Sequence, residues 1–258
     1  MRVSDLVGMR QIDLNVDIGE GFPWDEGLLE FATSANVSCG VHAGSEQLSL
    51  DTVELCRSKG VRVGAHPGYP DREFMGRRPM APGQEREYLD SIFRQTRWFV
   101  RYADPAYVKP HGAFYNDTAV LLPEGWDDPK PGMPSYDAGG LYLARTPGLQ
   151  SLTMILRVHR LPLMGLEATA HGEAARRAKQ LLIREGFADR RLRDDGTLVP
   201  RSEPGAVLEE PDQIRNQVKR LAPFVDSICL HGDTPGCLDF AELVRKTLLD
   251  EGFEVGFE

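Results

Sequence analysis

Four of the six histidines, His42, His66, His111 and His231, stand where a short alternating run ends and a loop begins. The stretch 61–71, VRVGAHPGYPD, shows the pattern. Val61, Val63 and Ala65 alternate with Arg62, Gly64 and His66, the period of a strand, and then Pro67, Gly68 and Pro70 force a turn. Acidic and basic partners accompany the histidines: Asp13, Asn15, Asp17 and Glu20 in the run IDLNVDIGE, Asp71 after His66, Lys109 before His111, and Asp233 after His231. Imidazole and carboxylate together can hold a divalent metal and activate water, or serve as base and acid on a carbonyl. Cys39 near His42 offers a nucleophile. That is the weakest of the three readings, because cysteine is commonly buried and no helix start follows to lower its pKa. Lys109 and the Arg77–Arg78 pair suit a substrate carboxylate, against the plainer alternative of a solvated basic face. One strand-end histidine is ordinarily a hydrogen-bonded structural residue; four of them beside acids make a site. His159 and His171 fall in helical or loop context and read as structural.

These groups need a scaffold that ends many strands at one place. Strands are expected at 12–18, 33–40, 61–66, 106–110, near 161–167, and at 227–230, with a closing strand at 253–257. Helices are expected at 25–31, from Ser45 as N-cap to Gly60, at 84–102, 149–158, 171–182, 211–221 and from Pro235 to Glu251, with Thr234 as the last helix's cap. The alternation gives about seven strand–helix repeats, hence a parallel sheet with right-handed crossovers. Most strands carry one apolar and one polar face, which suits a closed barrel with a polar mouth. In such barrels sites lie at the carboxyl ends of the strands. Residues 117–148 lose periodicity and fill with Pro, Gly and Asp, and read as a loop insertion bordering the site. The whole chain, 1–258, is expected to form a single domain.

Composition narrows the function classes. A net charge of −9 argues against a nucleic-acid partner, which would need a basic face. No GxGxxG and no GxxxxGK[ST] motif is present, which argues against a Rossmann dinucleotide site and a P-loop. Nothing is apolar for long enough to be a signal peptide or membrane span, and four cysteines without CxxC spacing suggest a reduced, cytoplasmic protein. No Cys/His set has the spacing of a closed structural zinc site.

The blocks DLNVDIGEG, TSANVSCGVHAG, GAHPGYPD, GRRPM, VKPHGAFYN, FADR, DGTLVPR and HGDTP closely resemble, in order, those of the LamB/YcsF family. The resemblance implies a distorted seven-stranded parallel β/α barrel of the glycoside hydrolase/deacetylase type. It implies ATP-dependent opening of the lactam 5-oxo-L-proline to L-glutamate, with this chain as one component of a 5-oxoprolinase complex that also contains separate B and C subunits. ATP would be used by the complex. Asp17, His66 and His111 are the expected catalytic residues. Asn15, Glu20, Asn36, His42, Asp71, Arg77, Lys109, His231 and Asp233 are the expected substrate-binding residues. The runner-up is a metal-dependent deacetylase or amidohydrolase on the same barrel, with Asp17, His66 and His111 as metal ligands. A non-catalytic role in the complex is the third class, disfavoured by the density of ionisable groups at one barrel end. The sequence departs from the family pattern at Val16, Ser45, Phe74–Met75 and Arg191–Leu192, and residues 121–148 have no recognised counterpart.

Overall fold

A computed structural model describes residues 10–122, 147–201 and 203–257. Eight strands run in chain order: β1 (Gln11–Ile18), β2 (Ser34–Ser38), β3 (Arg62–His66), β4 (Tyr107–Val108), β5 (Leu163–Gly165), β6 (Leu182–Phe187), β7 (Ser227–His231) and β8 (Glu254–Val255). β1 to β7 pair in parallel in sequence order, and β1 meets both β2 and β7, which closes a seven-stranded barrel. β8 pairs with the first residues of β1, outside the ring. Around the barrel lie α1 (Asp25–Leu28), α2 (Glu46–Ser58), α3 (Glu85–Ala103), α4 (Gly112–Thr118), α5 (Pro147–His159), α6 (Ala170–Ala178), α7 (Pro211–Leu221) and α8 (Cys237–Asp250).

The helices form where apolar spacing and end signals agree. Ser45 caps α2 by accepting the Leu48 N–H at 3.1 Å, and Gly60, at φ +70°, takes the left-handed turn after it. α3 buries Tyr88, Ile92, Phe99 and Ala103 at helical spacing. These faces pack with the outward apolar residues of the strands, among them Leu14, Val16, Val37 and Leu230, into the principal core.

Three local expectations are corrected. The run after His111 is the helix α4 rather than a loop. The helix expected to reach Leu182 ends at Ala178, because Lys179 turns left-handed at φ 55° and Leu182 starts β6 beside Leu163. The last helix begins at Cys237 after Gly236, and the Thr234 hydroxyl, expected to cap it, donates to Asp189 instead. Most of the expected insertion, residues 123–146, lies outside the described residues. Among those described, no helix is long and apolar enough to cross a membrane.

The lumen is filled by polar side chains that satisfy one another. Asp13 accepts from Thr33 Oγ1 at 2.7 Å and Ser34 Oγ at 2.6 Å, and from the Ser227 hydroxyl. Asn15 donates to Ser227 Oγ and accepts from Asn36, both at 2.7 Å. The Tyr107 hydroxyl crosses the lumen to Asn36 Oδ1, also at 2.7 Å. Its ring lies where a Cβ on residue 64 would sit, 2.2 Å away, so only glycine fits there.

Candidate active site

Above this network the strands end and the unsatisfied groups begin. Asp17, close to the end of β1, divides its carboxylate between the two zones. Oδ1 accepts from Asn36 at 2.8 Å and Lys109 at 2.9 Å. Oδ2 faces His66 Nε2 at 3.4 Å and His231 Nε2 at 3.7 Å. Burial alone would raise this carboxyl, but Lys109, His66 and His231 outweigh it and hold the pKa well below the usual range. Asp17 is therefore an anion at neutral pH.

Lys109 follows β4 and points inward, 2 % exposed, with Nζ 2.8 Å from Glu185 Oε1 and 3.0 Å from Cys229 Sγ as well as on Asp17. Burial would lower the ammonium; Asp17, Cys229 and Glu185 together lift it well above its usual value. Glu185, on β6, also accepts from the Tyr115 hydroxyl at 3.0 Å. Lys109 reaches the pocket floor, but its charge is already engaged by carboxyl groups of the chain.

The histidines cluster as the strand ends require. His66 ends β3 and its Nδ1 lies 2.8 Å from the Lys109 carbonyl oxygen; His111 Nε2 lies 2.8 Å from the Met75 carbonyl oxygen. A carbonyl only accepts, so those two ring nitrogens carry the hydrogens. The remaining nitrogens, His66 Nε2 and His111 Nδ1, then face each other at 2.9 Å with lone pairs on both. That contact is repulsive between neutral rings unless a cation shares it. Burial, followed by His42 and His66, pushes His111 well below the usual histidine range, so a proton is poorly held there. Asp17, His66 and His111 bring one ligand atom each to within 4.8 Å of one another. Ring nitrogens whose opposite N–H is fixed on a backbone carbonyl are typical of metal-bound histidine. The donor set fits a divalent metal.

The other expected residues fall into three groups. His42 stacks on His111, ring centres 3.9 Å apart, and Gly68 permits this because a Cβ there would lie 2.6 Å from His42 Nδ1. Glu20 approaches the same pair. Asn15 and Asn36 belong to the lumen beneath. Asp71 and Asp233 are held by arginines: Asp71 by Arg78, and Asp233 by Arg77 and by both Nη atoms of Arg201 at 2.9 and 3.1 Å. Neither arginine of the 77–78 pair is simply solvated. Cys39 is 1 % exposed and burial pushes its thiol up, which removes it as a nucleophile. His159 ends α5, and His171 is buried in α6 with Nε2 2.9 Å from Thr118 Oγ1.

A cavity of about 680 Å³ opens on this cluster, with Asp17, His66, Lys109, His111 and His231 on its floor. Arg77, Arg190 and Arg201 line its wall with Phe74 and Leu198. Such a volume suits a small-molecule site. Sequence reasoning missed Asp189, Glu185, Arg190 and Arg201. Asp189 Oδ1 lies 2.9 Å from His231 Nδ1 and its Oδ2 accepts the His231 N–H and the Thr234 hydroxyl. It thereby fixes the His231 tautomer with Nε2 toward the pocket. Asp189 and Arg190 stand in the block FADR and Arg201 ends DGTLVPR, so their signal was present without a strand end to give it meaning.

Comparison with known proteins agrees with this geometry. The chain is 39% identical over 269 residues to the A subunit of 5-oxoprolinase from Methylococcus capsulatus, covering 95% of each. It is 35% identical to the protein of that name from Pyrococcus furiosus, covering 95% and 96%. The lactam utilization protein of Thermus thermophilus superposes with a TM-score of 0.73 at 28% identity, over 95% of this chain and 99% of that one. A family 4 carbohydrate esterase from Streptomyces lividans shares the fold, with a TM-score of 0.50 at 12% identity over 96% and 92%. The LamB/YcsF family profile matches residues 12–121 and 149–257, leaving unmatched the stretch for which the sequence blocks have no counterpart. The chain belongs to the LamB/YcsF family.

Proposed function

We propose that this chain is the hydrolytic component of an ATP-dependent 5-oxoprolinase, opening 5-oxo-L-proline to L-glutamate together with B and C subunits. The observation that carries the reading is the pocket floor: an anionic Asp17 with one oxygen free, facing two histidines whose lone pairs converge and a third oriented by a carboxylate. The names of the relatives supply the substrate and the assembly.

A lactam is a stable amide, so hydrolysis needs an activated water, a stabilised oxyanion and a proton for the leaving nitrogen. Asp17, His66 and His111 are the residues that would hold a divalent cation, which when bound supplies water activation and carbonyl polarisation. His231 is the proton carrier: Nδ1–H is fixed on Asp189, so Nε2 is free to take a proton and return it to the ring nitrogen. Arg77, Arg190 and Arg201 outnumber the one carboxylate, Asp233, that pairs with two of them, which leaves the wall able to bind the substrate carboxylate. ATP is consumed by the assembly, activating the lactam oxygen by phosphorylation. A second reading, hydrolysis of an acyl amide without ATP, draws on the same Asp–His–His grouping.

Glutamate release from 5-oxoproline tests the choice, with the chain mixed with its candidate B and C partners. Release that needs ATP and all three chains is the expected result. No release with any combination, but ATP-independent cleavage of an acyl amide by this chain alone, would replace the first reading with the second.

A further inference from the structure

The three proposed cation ligands leave one acidic neighbour without a task. Glu20 follows β1 by two residues, its side chain is 4 % exposed, and Oε1 has no hydrogen-bond partner. A buried carboxylate oxygen without a donor is costly, and natural structures retain such groups where a ligand satisfies them. Oε1 lies 3.4 Å from His111 Nδ1, the nitrogen that also faces His66 Nε2. Resting on the cation reading above, we propose that Glu20 is a fourth protein ligand and that the site is built for a six-coordinate cation rather than tetrahedral zinc.

The chain of donors runs Asp17 Oδ2, His66 Nε2, His111 Nδ1, Glu20 Oε1, with neighbouring separations of 3.4, 2.9 and 3.4 Å. Two nitrogens bound at about 2.1 Å sit about 3.4 Å apart at a tetrahedral centre, but about 3.0 Å apart when cis on an octahedron. The 2.9 Å between His66 and His111 matches the second. Two carboxylates, two imidazoles and no sulfur form the mixed nitrogen–oxygen set taken by ions such as Mn²⁺, Fe²⁺ and Co²⁺, with remaining positions left for water or substrate. His42 is not a fifth ligand. Its ring is within 6° of parallel to that of His111, and parallel stacked rings aim their in-plane lone pairs side by side, not at one point. It instead walls Glu20 in, with Nε2 3.4 Å from Oε1.

The full-length chain, stripped with chelator, is titrated with Co²⁺, Mn²⁺ and Zn²⁺ by calorimetry, and the visible spectrum of the Co²⁺ form is recorded. One ion per chain, a weak six-coordinate cobalt spectrum, and a loss of Co²⁺ affinity of about tenfold or more in Glu20→Gln are expected. Melting of metal-free Glu20→Gln beside wild type checks its fold; if that variant does not fold, the wild-type cobalt spectrum decides. An intense tetrahedral spectrum, or Glu20→Gln with unchanged affinity and spectrum, overturns the role of Glu20 while leaving the three-ligand site. A wild-type chain that binds none of the three ions overturns both.

Discussion

The lower lumen and the mouth of the barrel are built from the same residue types yet behave oppositely. Asp13 and Asp17 share one face of β1, and both are buried. Asp13 is surrounded by donors: the hydroxyls of Thr33, Ser34 and Ser227, with Arg62 Nη2 at 3.4 Å. Asp17 has donors on one oxygen and, facing the other, histidine nitrogens too far for a good hydrogen bond. Below, the carboxylate is answered by donors of the chain; above, lone pairs converge on one another. Satisfied polar groups hold a barrel shut, and convergent unsatisfied ones hold something else.

Removing each of the two acids in turn is the sharpest way to break this contrast. Asp17→Asn should cut turnover of the assembled complex by about a hundredfold to ten-thousandfold per folded molecule. Asp13→Ala should leave turnover per folded molecule near wild type while lowering stability by about 3–5 kcal/mol, since hydroxyls and a guanidinium lose a buried partner. Steady-state rates and urea denaturation on both variants give the answer. A folded, fully stable Asp13→Ala protein without activity would erase the distinction.

Lys109 sits on the boundary and shows to which side it belongs. A role in binding the substrate would make Lys109→Met chiefly an affinity variant. Its engagement by Asp17 and Glu185 makes it chiefly a stability variant, losing about 3–5 kcal/mol because two buried carboxyl groups lose their cation. Pairing it with Glu185→Gln should recover part of that loss. Unchanged denaturation midpoints with weakened substrate binding would move Lys109 to the upper zone.

His171 supplies the smallest effect and an internal control, a buried histidine whose pKa is shifted by burial alone. That burial lowers it to about 3 from 6.5. The unfolded chain then takes up a proton near pH 6.5 that the folded chain refuses. Its contribution is complete above that pH and is lost as pH falls toward 3, by at most about 1.4 kcal/mol per pH unit. Urea midpoints measured across this range should fall less steeply in His171→Gln than in wild type. Parallel curves would show that His171 does not set the acid limb.

What the sequence determined by itself was periodic and local. Alternation at 12–18 and 61–66 placed Asp17 and His66 on inward faces at strand ends, because side chains in a strand alternate whatever surrounds it. Seven such runs between amphipathic helices implied the barrel, and the ordered blocks gave the family. Tertiary structure decided which groups meet. Asp189 lies past the end of β6 and becomes the partner of His231 only because β6 pairs with β7 in that register. Lys109 could equally have faced substrate or Glu185 until barrel closure set its Nζ 2.8 Å from that carboxylate. The tautomers of His66 and His111 depend on carbonyls at Lys109 and Met75, and a carbonyl's direction follows from backbone torsions in a folded loop. Residue type and spacing fix which face a group occupies. Only the closed ring fixes the donor or lone pair it finds there.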